Sequence, residues 1–333
     1  MTDRNIMLDG MMGLVVGDAL GCPVQFLSRE QIKNRGLVTG MEGYGTYNMP
    51  VGTWTDDSSM ALCELASINE KKGIDLDDIM VRFMDWEFNG AYTPFGEAFD
   101  EGNTCSWAIY DYRSHKNPKT CGKTGEYANG NGALMRILPV CLYYLNRQNI
   151  ICTSDDEAIH NIHEVTALTH NHLRSYIASG LYYFVTKAIV HNPEKLSLTD
   201  CIQRGLDDGF RFYGKDLRNL TEIAHYGRLF SVKKFALIEE DAIRGSGYVV
   251  EALEAALWCL VATDSFKDCL LKAVNLGDDT DTVAAIAGGL AGLYYGYHAI
   301  PTEWLEVLQK RDWIEEMATV QRLAGHEKTD GVD

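Results

Sequence analysis

The chain has 333 residues, enough for one large domain or two smaller ones with a sizeable buried core. Its composition, 46% hydrophobic and 23% charged, is typical of a soluble globular protein. The formal net charge of −17 argues against a nucleic-acid partner, because binding a phosphate backbone requires clustered Lys and Arg.

The nine cysteines include no Cys-x-x-Cys pair, which is typical of a reducing compartment and not of a disulfide framework. Residues 1–5 have neither the charged nor the apolar region of a signal peptide. The longest apolar stretch, 283–293, is too short to cross a bilayer. We therefore expect a cytoplasmic protein that binds no membrane.

Helical periodicity dominates the chain, and strict alternation of β-branched residues is hard to find. The pattern predicts an all-α fold of about a dozen helices. Apolar residues recur at three- and four-residue spacing in segments 58–69, 76–88, 134–145, 155–168, 173–190, 249–262 and 302–323.

Gly- and Asn-rich segments at 40–52, 90–103 and 120–132 are predicted as loops. No low-complexity linker divides the chain, so we expect a single compact domain, 1–324, which is monomeric. The polar tail, 325–333, is expected to fray.

An acidic cluster, Thr55-Asp56-Asp57-Ser58, stands before an apolar, helix-like stretch. One explanation is a helix N-terminus, where such residues cap free amides and complement the dipole. The other is a bound cation, because adjacent carboxylates repel each other unless a positive charge lies between them.

A second cluster, Asp-Asp-Thr-Asp-Thr at 278–282, opens a stretch of small residues that is expected to be a central helix. Asp279 and Asp281 can converge on one point, and Thr282 can add a hydroxyl oxygen. Such oxygens suit Mg²⁺, Mn²⁺ or Ca²⁺, but neither cluster has EF-hand spacing. If the fold joins the two clusters, they form a site for hard cations; otherwise both remain helix caps.

Seven segments in register match one family. They are Gly-Asp-Ala-Leu-Gly at 17–21, Thr-Asp-Asp-Ser at 55–58, Phe-Asp-Glu-Gly-Asn at 99–103, Gly-Asn-Gly-Ala-Leu-Met-Arg at 130–136, Thr-His at 169–170, Gly-Ser-Gly-Tyr-Val at 245–249 and Gly-Asp-Asp-Thr-Asp-Thr at 277–282. On these segments the chain resembles the ADP-ribosylglycohydrolases, which include the dinitrogenase reductase-activating glycohydrolases and the ADP-ribosyl-acceptor hydrolases.

The resemblance implies an all-α fold with two divalent cations, Mg²⁺ or Mn²⁺, at the bottom of an ADP-ribose cleft. Asp281 corresponds to a carboxylate that bridges the two metals, and Asp100 to an acid near the anomeric carbon. Asp281 and Asp100 are therefore the catalytic candidates, although a loop aspartate that caps a turn is the alternative for Asp100. The implied metal ligands are Thr55, Asp56, Asp57, Asp279, Asp281 and Thr282.

The implied substrate contacts are Asn131, Gly132, His170, Gly247 and Tyr248. The loop 125–132, followed by a helix expected from Ala133, can offer amides to a diphosphate, and Tyr248 can stack on adenine or ribose. A zinc site at the histidines lacks further ligands, so His160 and His163 are expected to be solvated or hydrogen-bonded.

Two positions depart from the family pattern. Gln25 stands where many members have Glu, which disfavours the serine-specific branch. Asp278 stands where Gly or Asn is frequent, and it either tunes metal preference or faces solvent.

The expected function is metal-dependent hydrolysis of the N-glycosidic bond of an ADP-ribosylated protein, with arginine as acceptor and free ADP-ribose as product. Two alternatives stand beside it. One is a catalytically silent ADP-ribose-binding protein, and the other is a two-metal hydrolase of another ADP-ribose derivative.

Overall fold

The computed structural model describes residues 4–148, 154–192 and 194–323, and within them the fold is all-α, as predicted. This part of the chain contains no β-strand, only two isolated bridges. Its helices are α1 (Ile6–Gly21), α2 (Arg29–Arg35), α3 (Asp56–Lys71), α4 (Leu76–Asn89), α5 (Asn103–His115), α6 (Leu138–Gln148), α7 (Asp155–Ala167), α8 (Leu173–Val190), α9 (Leu198–Tyr213), α10 (Leu220–Ile223), α11 (Val232–Phe235), α12 (Val249–Val261), α13 (Phe266–Val274), α14 (Thr280–Tyr295), α15 (Thr302–Val307) and α16 (Arg311–Leu323).

Two predicted helix boundaries were wrong. The helix expected from residue 134 begins only at Leu138, directly before Pro139, whose missing N–H is tolerated in a first turn. The single helix expected over 302–323 is two helices, α15 and α16. Lys310, between the two helices, has a left-handed backbone with φ of 53°. The chain changes direction at this residue, directly before α16 begins.

Helix α1 was missed because it is apolar on all sides. Fourteen of its sixteen residues are buried, including Asp9 and Asp18, so it shows no polar face to reveal its period. By length and composition, the segment Ile6–Val24 is apolar enough to cross a membrane, with a mean hydropathy of 1.3. In this fold 89% of that segment is buried inside the protein, as expected of a core helix.

The central contact of the molecule is between α1 and α14, the predicted small-residue helix. A Cβ atom on Gly17 would lie 2.1 Å from the carbonyl oxygen of Ala284, and one on Gly13 would lie 2.1 Å from that of Gly288. The two backbones therefore touch, which only glycine at these positions allows. This contact sets the first turn of α14 against the end of α1, where a Cβ on Gly21 would lie 2.4 Å from Cα of Asp281.

One hydrophobic cluster extends from Met7 to Ala318, so the described residues form a single domain. The predicted loops at 40–52, 90–103 and 120–132 are confirmed, apart from a short 3₁₀ turn at Glu126–Ala128 and the last loop residue, Asn103, which begins α5. The eight cysteines in the described part of the chain are all buried free thiols. The predicted tail, 325–333, lies outside the described residues.

Candidate functional site

The fold brings the two acidic clusters together, as the cation hypothesis required. Oγ1 of Thr55 lies 3.4 Å from Oδ2 of Asp281, and Oγ1 of Thr282 lies 3.3 Å from Oδ2 of Asp57. These contacts join residues 226 and 225 positions apart in the chain. They form because α3 begins at Asp56 and α14 begins at Thr280, both beside the end of α1.

Capping of α3 depends mainly on Asp18 of α1, which was not among the predicted site residues. Its carboxylate accepts hydrogen bonds from the backbone N–H groups of Thr55 and Ser58, each at 3.0 Å, and from the Ser58 hydroxyl at 2.5 Å. Burial raises the pKa of Asp18 to about 7, although these hydrogen bonds lower it. The sequence signal that could have identified Asp18 is an acidic residue within an otherwise apolar stretch. The structure shows that this residue is fully buried.

Capping therefore does not account for the carboxylates of the clusters. The Thr55 hydroxyl receives the N–H of Asp57 at 3.4 Å, which leaves the Asp56 and Asp57 side chains outside the cap. On α14, the N-cap residue Asp279 makes no side-chain cap hydrogen bond at all. Helix capping as the sole explanation is wrong for this site.

The clustered carboxylates are buried at a clear electrostatic cost. Asp56, Asp57 and Asp281 are at most 5% exposed, and burial raises their pKa values well above the ordinary value. Neighbouring carboxylates raise them further. Within the described part of the chain, no group donates a hydrogen bond to Oδ1 of Asp57 or Oδ1 of Asp281. Buried acceptors without donors are what a bound cation would satisfy.

The donor set also fits hard cations, since it consists of carboxylate and hydroxyl oxygens. Among the residues that the structure describes, however, no group of three or more His, Cys, Asp or Glu side chains is gathered as a metal site. A complete coordination sphere would need the threonine hydroxyls and small movements of the carboxylates. The two-metal centre and its ligands stay a prediction.

Above the carboxylates lies a cavity of about 320 Å³ that collects most of the predicted substrate residues. Thr55, Asp281 and Tyr248 do not line it, and Tyr248 lines a different cavity. The lining includes Asp56, Asp57, Asp100, Asn131, Gly132, His170, Gly247, Asp279 and Thr282.

The loop that carries Asn131 and Gly132 is held to the carboxylate side of the cavity by backbone and side-chain hydrogen bonds. The Asn131 amide donates to Oδ2 of Asp279 at 2.7 Å, and its backbone N–H donates to the carbonyl of Gly247 at 3.0 Å. Buried Arg136 donates to the Gly132 carbonyl, and through Nε to Glu64 of α3 at 2.9 Å. Because α6 begins only at Leu138, this loop does not lie at a helix N-terminus, and that expectation was wrong.

His170 faces the same loop. A Cβ atom on Gly132 would lie 3.0 Å from its Cε1, so only glycine leaves room for the ring. Burial lowers the pKa of His170 to about 3, which keeps the imidazole neutral and able to contact a substrate hydroxyl. Nδ1 is paired with the Thr169 hydroxyl at 2.8 Å.

Asp100 sits at the edge of the cavity with a left-handed backbone, φ of 68°. The Tyr47 hydroxyl donates a hydrogen bond to its Oδ1, whereas the buried Oδ2 has no donor among the residues that the structure describes. Burial raises the pKa of Asp100 to about 6, a value suited to an acid that gives up its proton near neutral pH. Tyr47, in a Gly-rich loop, carried no signal in the sequence.

The two departures from the family pattern, Gln25 and Asp278, lie close together, because the backbone of Asp278 is hydrogen-bonded to the residues that follow Gln25. Gln25 is buried and lines the cavity, and no protein group donates to its Oε1. Asp278 is exposed, so it faces solvent. Away from the cavity, His163 stacks on Tyr213 and pairs with its hydroxyl at 2.7 Å, as expected of a hydrogen-bonded histidine.

Buried carboxylates that the first turns of two helices present to one cavity form a site of the kind that glycoside hydrolases use, in which carboxylates act on the glycosidic bond. The chain belongs to the ADP-ribosylglycohydrolase family, whose model matches residues 2–332. Membership makes it a glycohydrolase enzyme.

Relatives cover nearly the whole chain. The ADP-ribosylarginine hydrolase Tri1 of Serratia proteamaculans is 30% identical over 92% of this chain and 76% of its own length. The ADP-ribosyl-dinitrogen reductase glycohydrolase of Rhodospirillum rubrum is 31% identical over 91% of this chain and 90% of its own. A solved structure, an ADP-ribosylglycohydrolase-related protein complex, is 30% identical with a TM-score of 0.73, and the match covers 95% and 96% of the two chains.

Proposed function

We propose that this protein is a divalent-metal-dependent hydrolase that removes ADP-ribose from arginine side chains of a target protein. The observation that carries the proposal is a set of buried carboxylate oxygens on Asp57, Asp100 and Asp281 that have no donor among the described residues; Asp57 and Asp100 line one cavity. The relatives named for ADP-ribosylarginine and for ADP-ribosyl-dinitrogen reductase support the choice of substrate.

Two cations, Mg²⁺ or Mn²⁺, would be held by Thr55, Asp56 and Asp57 from α3 and by Asp279, Asp281 and Thr282 from α14. When bound, they would supply charge to orient ribose hydroxyls and to lower the pKa of a water. The proposal accounts for the buried negative charge, which would otherwise destabilise the fold.

The remaining residues have roles that follow from their contacts. Asp100, whose Oδ1 is fixed by Tyr47, presents Oδ2 to the reacting bond and gives a proton to the leaving nitrogen or takes one from water. Asn131 and Gly132 bind the ADP-ribose, because both line the cavity. Hydrogen bonds to Gly247 and Arg136 hold their loop in place. Neutral His170 contacts a hydroxyl of the substrate. Tyr248 does not line the cavity, so it stacks on a part of the ADP-ribose that extends beyond the cavity.

The test is release of free ADP-ribose from an ADP-ribosyl-arginine protein, with Mg²⁺, with Mn²⁺ and with EDTA. We expect turnover with at least one metal and none with EDTA. ADP-ribosyl-serine protein and O-acetyl-ADP-ribose, assayed in parallel, distinguish the other hydrolase activities.

Two results would contradict the proposal. Binding of ADP-ribose without turnover of any substrate would indicate a silent binding protein. Faster turnover of O-acetyl-ADP-ribose than of the arginine substrate would indicate a hydrolase of small ADP-ribose derivatives.

A further inference from the structure

An exposed aromatic ring stands at the mouth of the cavity. Phe26 lines the cavity together with Asp100, yet its side chain is 63% exposed. Its ring contacts that of Tyr47 edge-on, with centroids 6.4 Å apart, and Tyr47 is the residue that donates to Asp100. Phe26 is thus placed beside the candidate acid, on the solvent side.

The backbone that presents this ring is in an unfavourable conformation. Phe26 has φ of 65°, in the left-handed region that bulky residues avoid. It is fixed by reciprocal hydrogen bonds with the second cluster: its N–H donates to the carbonyl of Asp278 at 2.7 Å, and the N–H of Asp278 donates to Leu27 at 2.8 Å. Asp278 is itself left-handed, with φ of 64°. Strain on an exposed apolar residue brings no burial in return, and such strain is concentrated at binding sites.

The charges around the cavity favour a cation at this ring. Four aspartates line the cavity, whereas its lining residues include no Lys or Arg, and burial keeps His170 neutral. Asp278, whose backbone is hydrogen-bonded to those of Phe26 and Leu27, carries a further exposed carboxylate on the adjoining segment. An aromatic face beside carboxylates is the chemistry that recognises a guanidinium group.

We propose that Phe26 and Asp278 form the acceptor subsite, in which the guanidinium of the acceptor arginine stacks on the Phe26 ring and pairs with the Asp278 carboxylate. The inference rests on the proposed function and deepens it, since it assigns residues to the choice of arginine over neutral acceptors. It also gives Asp278, one of the two departures from the family pattern, a role outside the metal site.

The first test compares kcat/KM for ADP-ribosyl-arginine with kcat/KM for O-acetyl-ADP-ribose, whose acceptor is neutral. In Phe26→Leu the ratio should fall about two- to thirty-fold, the range of a cation–π contact. Phe26→Trp should retain it. Asp278→Asn should lower the ratio about two-fold, and this loss should disappear at high salt, because exposed ion pairs are weak and screened.

Tyr44→Leu is the matched control. Tyr44 is also an exposed aromatic residue, 70% exposed, with a left-handed φ of 61°, but it does not line the cavity. Its replacement should leave the ratio unchanged. An unchanged ratio in Phe26→Leu, or an equal fall in Tyr44→Leu, would overturn the proposal.

A second test does not depend on turnover. Agmatine, which carries a guanidinium, is titrated calorimetrically into the protein with Mg²⁺ and ADP-ribose. Its affinity should fall about two- to thirty-fold in Phe26→Leu and stay the same in Tyr44→Leu. Absence of agmatine binding to the wild type, or equal binding to Phe26→Leu, refutes the subsite. Failure of the wild type to hydrolyse ADP-ribosyl-arginine, with agmatine bound as expected, refutes the proposed function alone.

Discussion

At the residue scale, Asp281 combines a cost in stability with a role in function. Its carboxylate is fully buried, one of its oxygens has no donor among the described residues, and four other aspartates raise its pKa together with burial. Asp281→Asn removes the repulsion and keeps the shape. We expect the free energy of unfolding of the variant to be about 1 kcal/mol higher than that of the wild type when both are free of metal. We also expect the variant to lose turnover.

Thermal unfolding with EDTA and with Mg²⁺ measures both effects. Mg²⁺ should raise the midpoint of the wild type, since a ligand that binds only the folded state stabilises it, and should leave that of Asp281→Asn nearly unchanged. A variant that is less stable than the wild type in EDTA would show that Asp281 is a structural residue.

His163 contributes to the loss of stability that we expect in acid. Burial lowers the pKa of His163 to about 4 from the ordinary 6.5. Between these two pH values the imidazole is protonated in the unfolded chain and neutral in the folded chain. Its contribution is complete above pH 6.5 and is lost as the pH falls towards 4, by at most about 3 kcal/mol.

His163→Phe keeps the stacking on Tyr176 and Tyr213 and removes the titration. Urea unfolding between pH 4 and 6.5 should therefore show a shallower loss of stability in the variant. Identical slopes would contradict the assignment.

At the element scale, α3 depends on α1 for its cap. Asp18→Ala leaves the N–H groups of Thr55 and Ser58 without their acceptor in a buried place. We expect a loss of about 1–3 kcal/mol and weaker Mg²⁺ binding, because Asp56 and Asp57 stand on the first turn of the same helix.

Asp18→Asn is the isosteric control, since it keeps one carbonyl oxygen as acceptor, and it should lie between the wild type and Asp18→Ala in both measurements. Mg²⁺ affinity that is unaffected in Asp18→Ala would separate the cap from the site.

The contact between α1 and α14 is equally sensitive. In Gly17→Ala the new methyl group would meet the Ala284 carbonyl at 2.1 Å, so the two helices must move apart. We expect a loss of more than about 2 kcal/mol and of Mg²⁺ binding. Gly227→Ala, where no atom lies within 4 Å of the new Cβ, should be tolerated. Equal stability of the two variants, measured by urea unfolding, would refute the role of the contact.

At the scale of the whole molecule, the sequence predicted the class of the fold, the two acidic clusters and most of the cavity lining, but not the residues that hold these in position. The clusters at 55–58 and 278–282 were visible because consecutive carboxylates are conspicuous. Asp18 and Tyr47 were not, because each acts through a residue far away in the chain, Thr55 in one case and Asp100 in the other. Helix α1 escaped notice because a helix buried on all sides has no period in hydrophobicity.

The fold also predicts how the protein unfolds. One hydrophobic cluster spans the described residues, and the site needs both α3 and α14. In urea, the loss of helical circular dichroism and the loss of ADP-ribosyl-arginine hydrolysis should occur at the same urea concentration. Loss of activity well before the loss of helix would mean that the site opens independently.

The pairing of α1 with α14 has a consequence for synthesis. The apolar segment Ile6–Val24 is made well before its partner, which begins at Thr280. At translation rates of 5–20 residues per second, the glycine-lined face of α1 waits roughly 15 to 50 s on the ribosome before α14 exists. During that interval it offers chaperones, and targeting factors that recognise apolar helices, a surface that the finished enzyme never shows.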